Sequence, residues 1–462
     1  MKDLTQGSIV RNILAMAAPM AAGMIFQTLY FLVDLYFVTR LGPTAVAGVG
    51  AGGTLTFAIM ALTQVLGVGA VALIAQAVGR RDQADANLVF NQSVSLAVAC
   101  ALATLLGGYA FAGVYLALVG ADSATQALGA TYLYWFLPGL ALGFAQVVMG
   151  SGLRGTGIVK PTMVIQALSV LLNIVLAPIL IAGWGTGYAM GVAGAGFASS
   201  IAIVAGIVLL GWYFLRLEKY VAFDARLWRP RLAVWKRMLV VGLPAGAEFG
   251  LMFCYMVVIY WVISDFGATA QAGFVIGSRI MQSIFLPAMA IAFAAGPIAG
   301  QNFGAGKSAR VRETFVKAAA LSTVVMICVT ALLQWRPEML VAFFPSEAEE
   351  QAVGATFLRI ISWTFVAQGI VFTCSGMFQG LGNTIPAMLS SGIRLCVFVP
   401  LAVWVSSRPG FRLDEVWWLS VSTVWLQAAV SYFLLRHQFK RRLVDRPLPA
   451  VPAVAAPAPA ET

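Results

Sequence analysis

The chain has 462 residues, of which 60% are hydrophobic and only 10% are charged, and its formal net charge is +11. Soluble domains carry about 25% charged residues, so this composition excludes an ordinary soluble protein and indicates an integral membrane protein with many spans. The length corresponds to roughly twelve helices of about 20 to 30 residues joined by short loops.

Apolar runs of helical length follow one another along the whole sequence. They predict twelve transmembrane helices at 12–39, 46–77, 88–119, 126–152, 160–182, 191–216, 233–263, 268–300, 308–334, 350–379, 384–406 and 412–436. Because only helices and closed barrels satisfy their backbone groups in lipid, the expected fold class is an all-α integral membrane protein.

The basic residues are distributed unevenly between the two sides of these helices. Most of the 29 Lys and Arg residues precede odd-numbered helices or follow the last one, and the opposite loops hold Arg40, Arg336, Arg408 and Arg412. By the positive-inside rule this asymmetry predicts a multi-pass protein with both termini in the cytoplasm. The expected location is the plasma membrane, which is the inner membrane of a bacterium. Since the basic excess marks topology, no nucleic-acid partner is expected.

The sequence has no pattern typical of metal, disulfide or enzyme chemistry. The five cysteines lie far apart within predicted spans, and His437 is the only histidine, so neither a metal site nor a cofactor is expected. A membrane-embedded transferase would need acidic metal-binding pairs at a membrane face; Asp82 and Asp85, directly after Arg80 and Arg81, are the one DxxD spacing in the sequence, and this function is disfavoured. We therefore do not expect an enzyme.

Residues of the first half recur in the second half at one constant offset. Pro19, Gly42 and Gly48 recur as Pro244, Gly267 and Gly273; Gln76 and Gly79 recur as Gln301 and Gly304; Gly155, Gly157 and Pro161 recur as Gly380, Gly382 and Pro386. Six helices in each half give both halves the same orientation, so we expect parallel repeats with the working cavity between them.

This repeat predicts the domain organisation. An N-terminal six-helix lobe is expected at 1–217, a basic cytoplasmic linker at 218–236, a C-terminal six-helix lobe at 237–440 and a disordered Pro/Ala-rich cytoplasmic tail at 441–462. The linker is expected to act as a hinge-like connection between the lobes.

The first predicted span carries an acidic residue. Asp34 lies inside 12–39, and a charged side chain in hydrocarbon costs at least a few kcal/mol. Gly23, Gln27, Tyr30 and Asp34 follow at intervals of three or four residues, so they share one helix face. Asp34 is therefore expected to face the protein interior or a water-filled cavity. A purely structural acid, bonded to Gln27 or Tyr30, is the alternative.

Several short runs resemble the multidrug and toxic compound extrusion (MATE) antiporters. They are VDLYFV at 33–38, QAVGRRD at 76–82, SGLRGTG at 151–157, GQNFGAGK at 300–307 and FQGLGNT at 378–384. No single run is specific, but their joint order and spacing are, and the similarity reaches almost to the end of the chain. The resemblance implies a V-shaped pair of six-helix lobes, and we expect a monomer. Such a protein exports organic cations and amphiphilic drugs against an inward flow of protons or sodium.

The resemblance also implies site residues in the first half. Asp34 matches the acid at which the coupling ion binds in this family, Gln27 matches a supporting amide, and Tyr30 lies between them. Asn173 matches an amide on the fifth helix, and Asp34 and Asn173 are expected to meet in the outer half of the lobe. Some proton-coupled members carry a second acid where this chain has Ala177, which is a departure from their pattern.

The second half leaves the coupling ion less certain. Glu248 is an acid inside the seventh predicted helix, whereas sodium-coupled relatives often add an acid on the tenth, where this chain offers Gln368. A sodium cage needs several oxygen ligands, and burial favours the protonated form of a lone carboxyl group, so we expect proton coupling. Glu248 paired structurally with Arg279 is the alternative. Arg359 and Arg394 are expected to reach toward the membrane surface.

Three further functions stay open from the sequence. A sodium-coupled drug antiporter of the same family is the nearest. A lipid-linked oligosaccharide flippase is less favoured, because basic residues within the spans are sparse. The membrane-embedded transferase is disfavoured for the reason given above.

Overall fold

The computed structural model of the protein describes residues 1–118, 122–344 and 347–443, without the side chains of Phe31, Thr54 and Phe57. The described helices are α1 (Ile9–Thr39), α2 (Pro43–Gly79), α3 (Gln83–Leu118), α4 (Ser123–Gly155), α5 (Lys160–Ala182), α6 (Val192–Arg216), α7 (Leu232–Ser264), α8 (Gly267–Gly304), α9 (Ser308–Trp335), α10 (Glu338–Val341), α11 (Ala348–Ile361), α12 (Phe365–Gly380), α13 (Ile385–Ser406) and α14 (Leu413–Arg442). No strand occurs among these residues.

Twelve helices of the described chain are long and apolar enough to cross a membrane, and this confirms the predicted all-α fold. The short turn Ser362–Thr364 joins α11 and α12 into a single span, Ala348–Gly380. Several helices continue beyond their predicted ends because polar residues extend them outside the apolar core, as in α14, which runs on to Arg442. The tail predicted at 441–462 lies, beyond Leu443, outside the described residues.

The recurring Gly and Pro residues have a local cause at the start of the fifth helix of each half. Pro161 and Pro386 lie in the first turns of α5 and α13, where a missing backbone N–H costs nothing. Gly157 and Gly382, just before these helices, have φ values of 81° and 70°, a conformation that a residue with a Cβ adopts only with strain. Both halves therefore use the same turn chemistry.

Both described ends of the chain lie on one side of the bundle, which we call the terminal side; the opposite side is the distal side. Near the N-terminus, the backbone N–H of Leu4 donates to Oε1 of Gln301 at 2.9 Å. Near the C-terminus, Arg442 donates to the carbonyl of Leu381 at 2.8 Å. We call α1–α6 the N-lobe and α7–α14 the C-lobe.

The first helix of each lobe is shared between the two lobes. Ile13 and Met16, in the terminal half of α1, are fully buried in a core with Ala294 of α8, whereas Val38 near its distal end belongs to the N-lobe core. Pro19 lies between these two halves. The packing of α1 therefore links the N-lobe to the C-lobe.

The repeat-related helix α7 has the reverse arrangement. Met238, in its terminal half, belongs to the N-lobe core, and Val241 packs against Val68 and Ala72 of α2. Ile259, toward the distal end, belongs to a core that contains only C-lobe residues among those described. The lobes are thus joined through shared cores on the terminal side and have separate cores toward the distal side, which gives the bundle its V shape.

Repeat-related glutamines and glycines close the terminal side. Gln76 donates to the carbonyl of Gly380 at 2.9 Å, and Gln301 donates to the carbonyl of Gly155 at 3.0 Å. A Cβ at Gly304 would overlap the carbonyl oxygen of Gln76, and one at Gly79 would overlap that of Gln301. Glycine at these two positions therefore allows α2 and α8 to approach closely.

The N-terminal segment before α1 reinforces this closure. The backbone N–H of Lys2 donates to the carbonyl of Thr156 in the N-lobe at 2.8 Å, while Leu4 is fully buried and bonds Gln301 in the C-lobe. Lys307 donates to the carbonyl of Thr5 at 2.9 Å. The segment therefore bridges both lobes on the terminal side.

The linker between the lobes is anchored to α3. Asn91 donates to the carbonyl of Ala222 at 2.8 Å and accepts hydrogen bonds from the backbone N–H of Asp224 and from the indole of Trp228, both at 2.9 Å. Gln92 accepts from the backbone N–H of Arg231 at 2.7 Å. These bonds fix the path of the linker over the terminal end of the N-lobe.

Candidate functional site

The N-lobe contains a buried acid near the distal end of α1. Asp34 is 8% exposed, and its Oδ2 accepts a hydrogen bond from the hydroxyl of Ser199 on α6 at 3.3 Å. Ser199 itself is fully buried. The carboxyl group therefore faces the interior of the lobe and not the lipid, as the cost of a charge in hydrocarbon requires.

Two tyrosines complete the surroundings of Asp34. Tyr30, one turn earlier on α1, lies near both Ser199 and the carboxyl group, and the buried Tyr132 of α4 lies within electrostatic range of the same carboxyl. The second carboxyl oxygen, Oδ1, is buried and has no hydrogen-bond donor among the described residues. A buried acceptor without a donor costs about 1–3 kcal/mol, more when it is charged. Oδ1 is therefore an unsatisfied acceptor in the described part of the site.

Asn173 on α5 is fully buried, and neither its amide nitrogen nor its oxygen has a hydrogen-bond partner among the described residues. The hydroxyl of Ser169, one turn earlier on the same face, is also buried and has no partner in the described ranges. Buried polar atoms are nearly always paired, so this polar patch differs from ordinary contacts between helices. No hydrogen bond joins it to Asp34 in the described part of the chain.

Gln27 occupies a different environment from the rest of the predicted polar stripe. Its side chain is exposed, whereas Tyr30 is half-buried and Asp34 is buried. The structure therefore places Tyr30 beside the acid and leaves Gln27 outside its hydrogen-bonding surroundings.

The C-lobe acid lies near the middle of α7. Glu248 is half-buried, and its Oε2 accepts a hydrogen bond from the hydroxyl of Ser375 on α12 at 3.0 Å. Gln368, also half-buried, lies two turns before Ser375 on the same face of α12. The structure thus places Glu248 opposite the face of α12 on which Gln368 lies.

The alternative ion pair between Glu248 and Arg279 is wrong for this structure. Arg279 is exposed on α8, near the hydroxyl of Tyr260, and neither Glu248 nor Arg279 takes part in an ion pair among the described residues. The reason is geometric, because Glu248 faces α12 whereas Arg279 lies on the exposed side of its own helix.

The two other arginines within predicted spans behave differently from each other. Arg359 is exposed and pairs with the exposed Glu338 at 3.0 Å, in keeping with a position at the surface. The prediction for Arg394 was wrong, since its guanidinium carbon lies 4.0 Å from the ring centroid of Tyr255 on α7. Arg394 lies near the middle of the 22-residue α13 and packs across the lobe.

Sequence reasoning missed Ser199, Tyr132 and Ser375, which surround the two acids. These residues carry no individual signal, since isolated hydroxyls are common in membrane helices and the packing of other helices decides which of them reach an acid. The repeat did offer one unused signal. Tyr30 and Tyr255 are separated by the same offset as Pro19 and Pro244, so both lobes place a tyrosine at the same point of their first helix.

Comparison with known proteins gives a consistent result. The MatE family model matches residues 19–179 and again 244–404. The chain is 26% identical over 420 residues to the probable multidrug resistance protein YpnP of Bacillus subtilis, covering 90% of each chain. It is 25% identical over 435 residues to the multidrug export protein MepA of Staphylococcus aureus, covering 93% of this chain and 94% of that one.

A solved structure of similar fold extends the comparison to three dimensions. An outward-facing multidrug resistance MATE family transporter of the MOP superfamily has a TM-score of 0.89 and 25% identity to this chain, covering 96% of it and 98% of the other chain. The two matches of the family model begin at the repeat-related residues Pro19 and Pro244, so they fall on the two predicted halves. The chain therefore belongs to the MatE family of multidrug efflux transporters.

Proposed function

We propose that the chain is a proton-coupled antiporter that exports organic cations and amphiphilic drugs across the plasma membrane, the inner membrane in a bacterium. The observation that carries this proposal is the Asp34 carboxyl group, which is buried beside the hydroxyls of Ser199, Tyr30 and Tyr132, with one oxygen that lacks a donor in the part of the chain that the structure describes. The names of its relatives, a multidrug resistance protein and a multidrug export protein, support drugs as the substrates.

Protons fit the two acids better than sodium. A hard cation in a protein is held by several oxygen ligands, ideally with carboxylates among them. Asp34 and Glu248 are single carboxyl groups in separate lobes, and each accepts one hydroxyl hydrogen bond, from Ser199 and Ser375 respectively. A lone buried carboxyl group gains most from taking up a proton, because its neutral form has a smaller desolvation cost.

The proposed mechanism uses the packing of α1. With Asp34 ionised, the interior of the N-lobe attracts an organic cation. A proton that enters from the distal side removes this charge and the attraction, so the substrate leaves to that side. Because the terminal half of α1 packs on the C-lobe and its distal half on the N-lobe, a shift of α1 around Pro19 would change the contact between lobes.

The orientation of the chain follows from its basic residues. With both termini in the cytoplasm, the closed terminal side is the cytoplasmic side and the lobes part toward the outside. This corresponds to an outward-facing transporter, the state described for the similar solved structure. We further propose that one chain suffices for transport, which the molar mass of the detergent-solubilised protein would test.

Transport in proteoliposomes tests this proposal. Efflux of a fluorescent organic cation is followed while a proton gradient and a sodium gradient are imposed independently. We expect the proton gradient alone to drive transport, Asp34→Asn to abolish it, and Ser199→Ala to slow it several-fold. The exposed Asp265, at the distal end of α7, provides the matched control, and Asp265→Asn should transport normally.

Other outcomes would replace the proposal with a specific alternative. Transport that follows the sodium gradient alone would make the chain a sodium-coupled drug antiporter. Movement of a lipid-linked oligosaccharide without efflux of the cation would favour the flippase. Normal proton-driven efflux by Asp34→Asn would remove Asp34 from the coupling site.

A further inference from the structure

A cationic side chain lies inside the C-lobe at the height of the membrane-spanning helices. Arg394 stacks on Tyr255 of α7, with 4.0 Å between its guanidinium carbon and the ring centroid. Its Nη1 donates to Oε1 of Gln427 on α14 at 3.3 Å. Gln427 in turn donates to the hydroxyl of Ser391 at 3.0 Å, and the Tyr255 hydroxyl donates to Ser420 at 2.9 Å. The arginine is therefore held in place by contacts with two other helices, α7 and α14.

This network fixes the guanidinium without neutralising it. Arg394 forms no ion pair with any described residue, and a charge in a membrane interior is normally paired or functional. A guanidinium has five N–H donors, and Gln427 is the one acceptor found for them in the described chain. Its Nε is buried and has no acceptor among the residues that the structure describes. The edge formed by Nε and Nη2 thus has no acceptor in the described chain, while Nη1 is held by Gln427.

This unpaired edge has a defined chemical preference. The Nε and terminal nitrogens of arginine match the two oxygens of a carboxylate, with two parallel hydrogen bonds. Arg394 is half-buried, so part of it stays accessible. Stacking on Tyr255 and the bond to Gln427 hold the planar group in one orientation, which reduces the entropy lost when an anion binds.

The repeat relates this position to the N-lobe site. Tyr255 corresponds to Tyr30 and Arg394 to Ser169 by the offset that separates Pro19 from Pro244. In the N-lobe, Tyr30 lies one turn before Asp34. In the C-lobe, the guanidinium of Arg394 stacks on the equivalent Tyr255. The two lobes therefore present groups of opposite charge beside repeat-related tyrosines. Tyr255 also shares a face of α7 with Glu248, about 10 Å away along the helix.

We propose that Arg394 is an anion subsite of the C-lobe that binds the carboxylate of a transported amphiphile. This inference rests on the proposed export function and deepens it, since it adds amphiphiles that carry a carboxylate as well as a cationic group to the substrates. Tyr255 and Gln427 are positioning residues, because they orient the guanidinium and do not themselves supply the charge.

Binding of a matched dye pair to the full-length protein tests the subsite. Tetramethylrhodamine and its methyl ester share the cationic ring system and differ in the free carboxylate. Fluorescence anisotropy gives the Kd of each dye in nanodiscs of zwitterionic lipid. We expect the wild type to bind the acid more tightly than the ester. Arg394→Gln should raise the Kd of the acid about tenfold or more and change the Kd of the ester less than about twofold. Arg394→Lys keeps the charge but loses the two parallel N–H donors, so its Kd for the acid should lie between those of the wild type and Arg394→Gln.

A second arginine provides the control. Arg408, near the distal end of α13, stacks on Trp404 but is exposed, so Arg408→Gln should leave both affinities unchanged. An equal loss of affinity for the two dyes in Arg394→Gln or Arg394→Lys would indicate a structural role and overturn the subsite. No loss of affinity for either dye would overturn it as well. If anionic phospholipid in the nanodiscs removes the affinity for the acid, the group bound is a lipid headgroup and the substrate assignment fails.

The comparison separates this inference from the proposed function. Binding needs no ion gradient, so a failure of proton coupling leaves the dye comparison intact. Equal wild-type affinities for acid and ester would overturn the subsite and leave proton-driven export of the cationic ester untouched.

Discussion

The closure of the terminal side rests on two glutamines whose loss should have unequal effects. The fully buried Gln301 makes two hydrogen bonds, one from the Leu4 backbone at 2.9 Å and one to the Gly155 carbonyl at 3.0 Å. Its repeat-related partner Gln76 makes one, to the Gly380 carbonyl at 2.9 Å. Each neutral bond contributes about 0.5–1.5 kcal/mol. Gln301→Ala should therefore destabilise the closed state by about 1–3 kcal/mol, and Gln76→Ala by about half as much.

These energies predict a measurable shift of population. A change of about 1–3 kcal/mol corresponds to a factor of about 5 to 150 in an equilibrium, so Gln301→Ala should raise the ratio of open to closed terminal sides by about that factor. Gln76→Ala should raise it about two- to tenfold. Water bonds the freed groups in the open state, so the loss is specific to closure.

Distances between spin labels report this ratio directly. Ala84 and Ala309 are exposed, repeat-related residues at the terminal ends of α3 and α9. Double electron–electron resonance between labelled cysteines at these positions, in a background without the native cysteines, gives the populations of short and long distances. Gln334, which bonds the carbonyl of Arg359 inside the C-lobe at 2.7 Å, provides the control, and Gln334→Ala should not alter them.

One outcome would refute the reasoning. If Gln301→Ala leaves the distance distribution of the folded protein unchanged, or shifts it less than Gln76→Ala does, then these side chains do not determine closure. The close approach of α2 and α8 would then hold the lobes together by itself.

Two further substitutions test neighbouring contacts. Gly304→Val should open the same label pair more strongly than Gly107→Val, because a Cβ at Gly304 overlaps the Gln76 carbonyl oxygen, whereas one at Gly107 meets nothing within 4 Å; equal effects would contradict this. Asn91→Ala removes three hydrogen bonds to the linker, about 2–4 kcal/mol in total. Trypsin should then cleave the linker at least tenfold faster in a time course followed by mass spectrometry. Ser93→Ala, which loses only a hydrogen bond inside α3, should be cleaved in the linker at the same rate as the wild type.

The sequence predicted what depends on local chemistry and on repetition. Apolar runs located the twelve spans because each must cover the hydrocarbon thickness by itself. The recurring Gln76 and Gly79, with Gln301 and Gly304, were visible as a repeat, and the structure explains it, since these residues meet across the contact between lobes. The residues that repeat in the sequence therefore lie at the contact between the two lobes.

The surroundings of the acids could not be predicted in the same way. Ser199 lies far from Asp34 along the chain, and only the packing of α6 brings its hydroxyl to the carboxyl group. The direction of the Arg394 side chain was predicted wrongly, because it depends on the stacking contact with Tyr255 of another helix and not on the distance of Arg394 from a helix end. The polar segment before α1 gave no hint that Leu4 is fully buried between the lobes.

The arrangement of α1 and α7 suggests why the ion sites and the closure belong to one mechanism. Asp34 and Glu248 lie on the only two helices among those described that begin in the core of one lobe and end in the core of the other. Pro19 and Pro244 lie in these helices before the acids and remove a backbone donor there, so each helix can bend at that point with little loss of hydrogen bonding. A change of charge at either acid alters the packing of a helix that both lobes share. We therefore expect substitutions at Pro19 to uncouple terminal-side opening from proton uptake while leaving the affinity for the cationic dye intact.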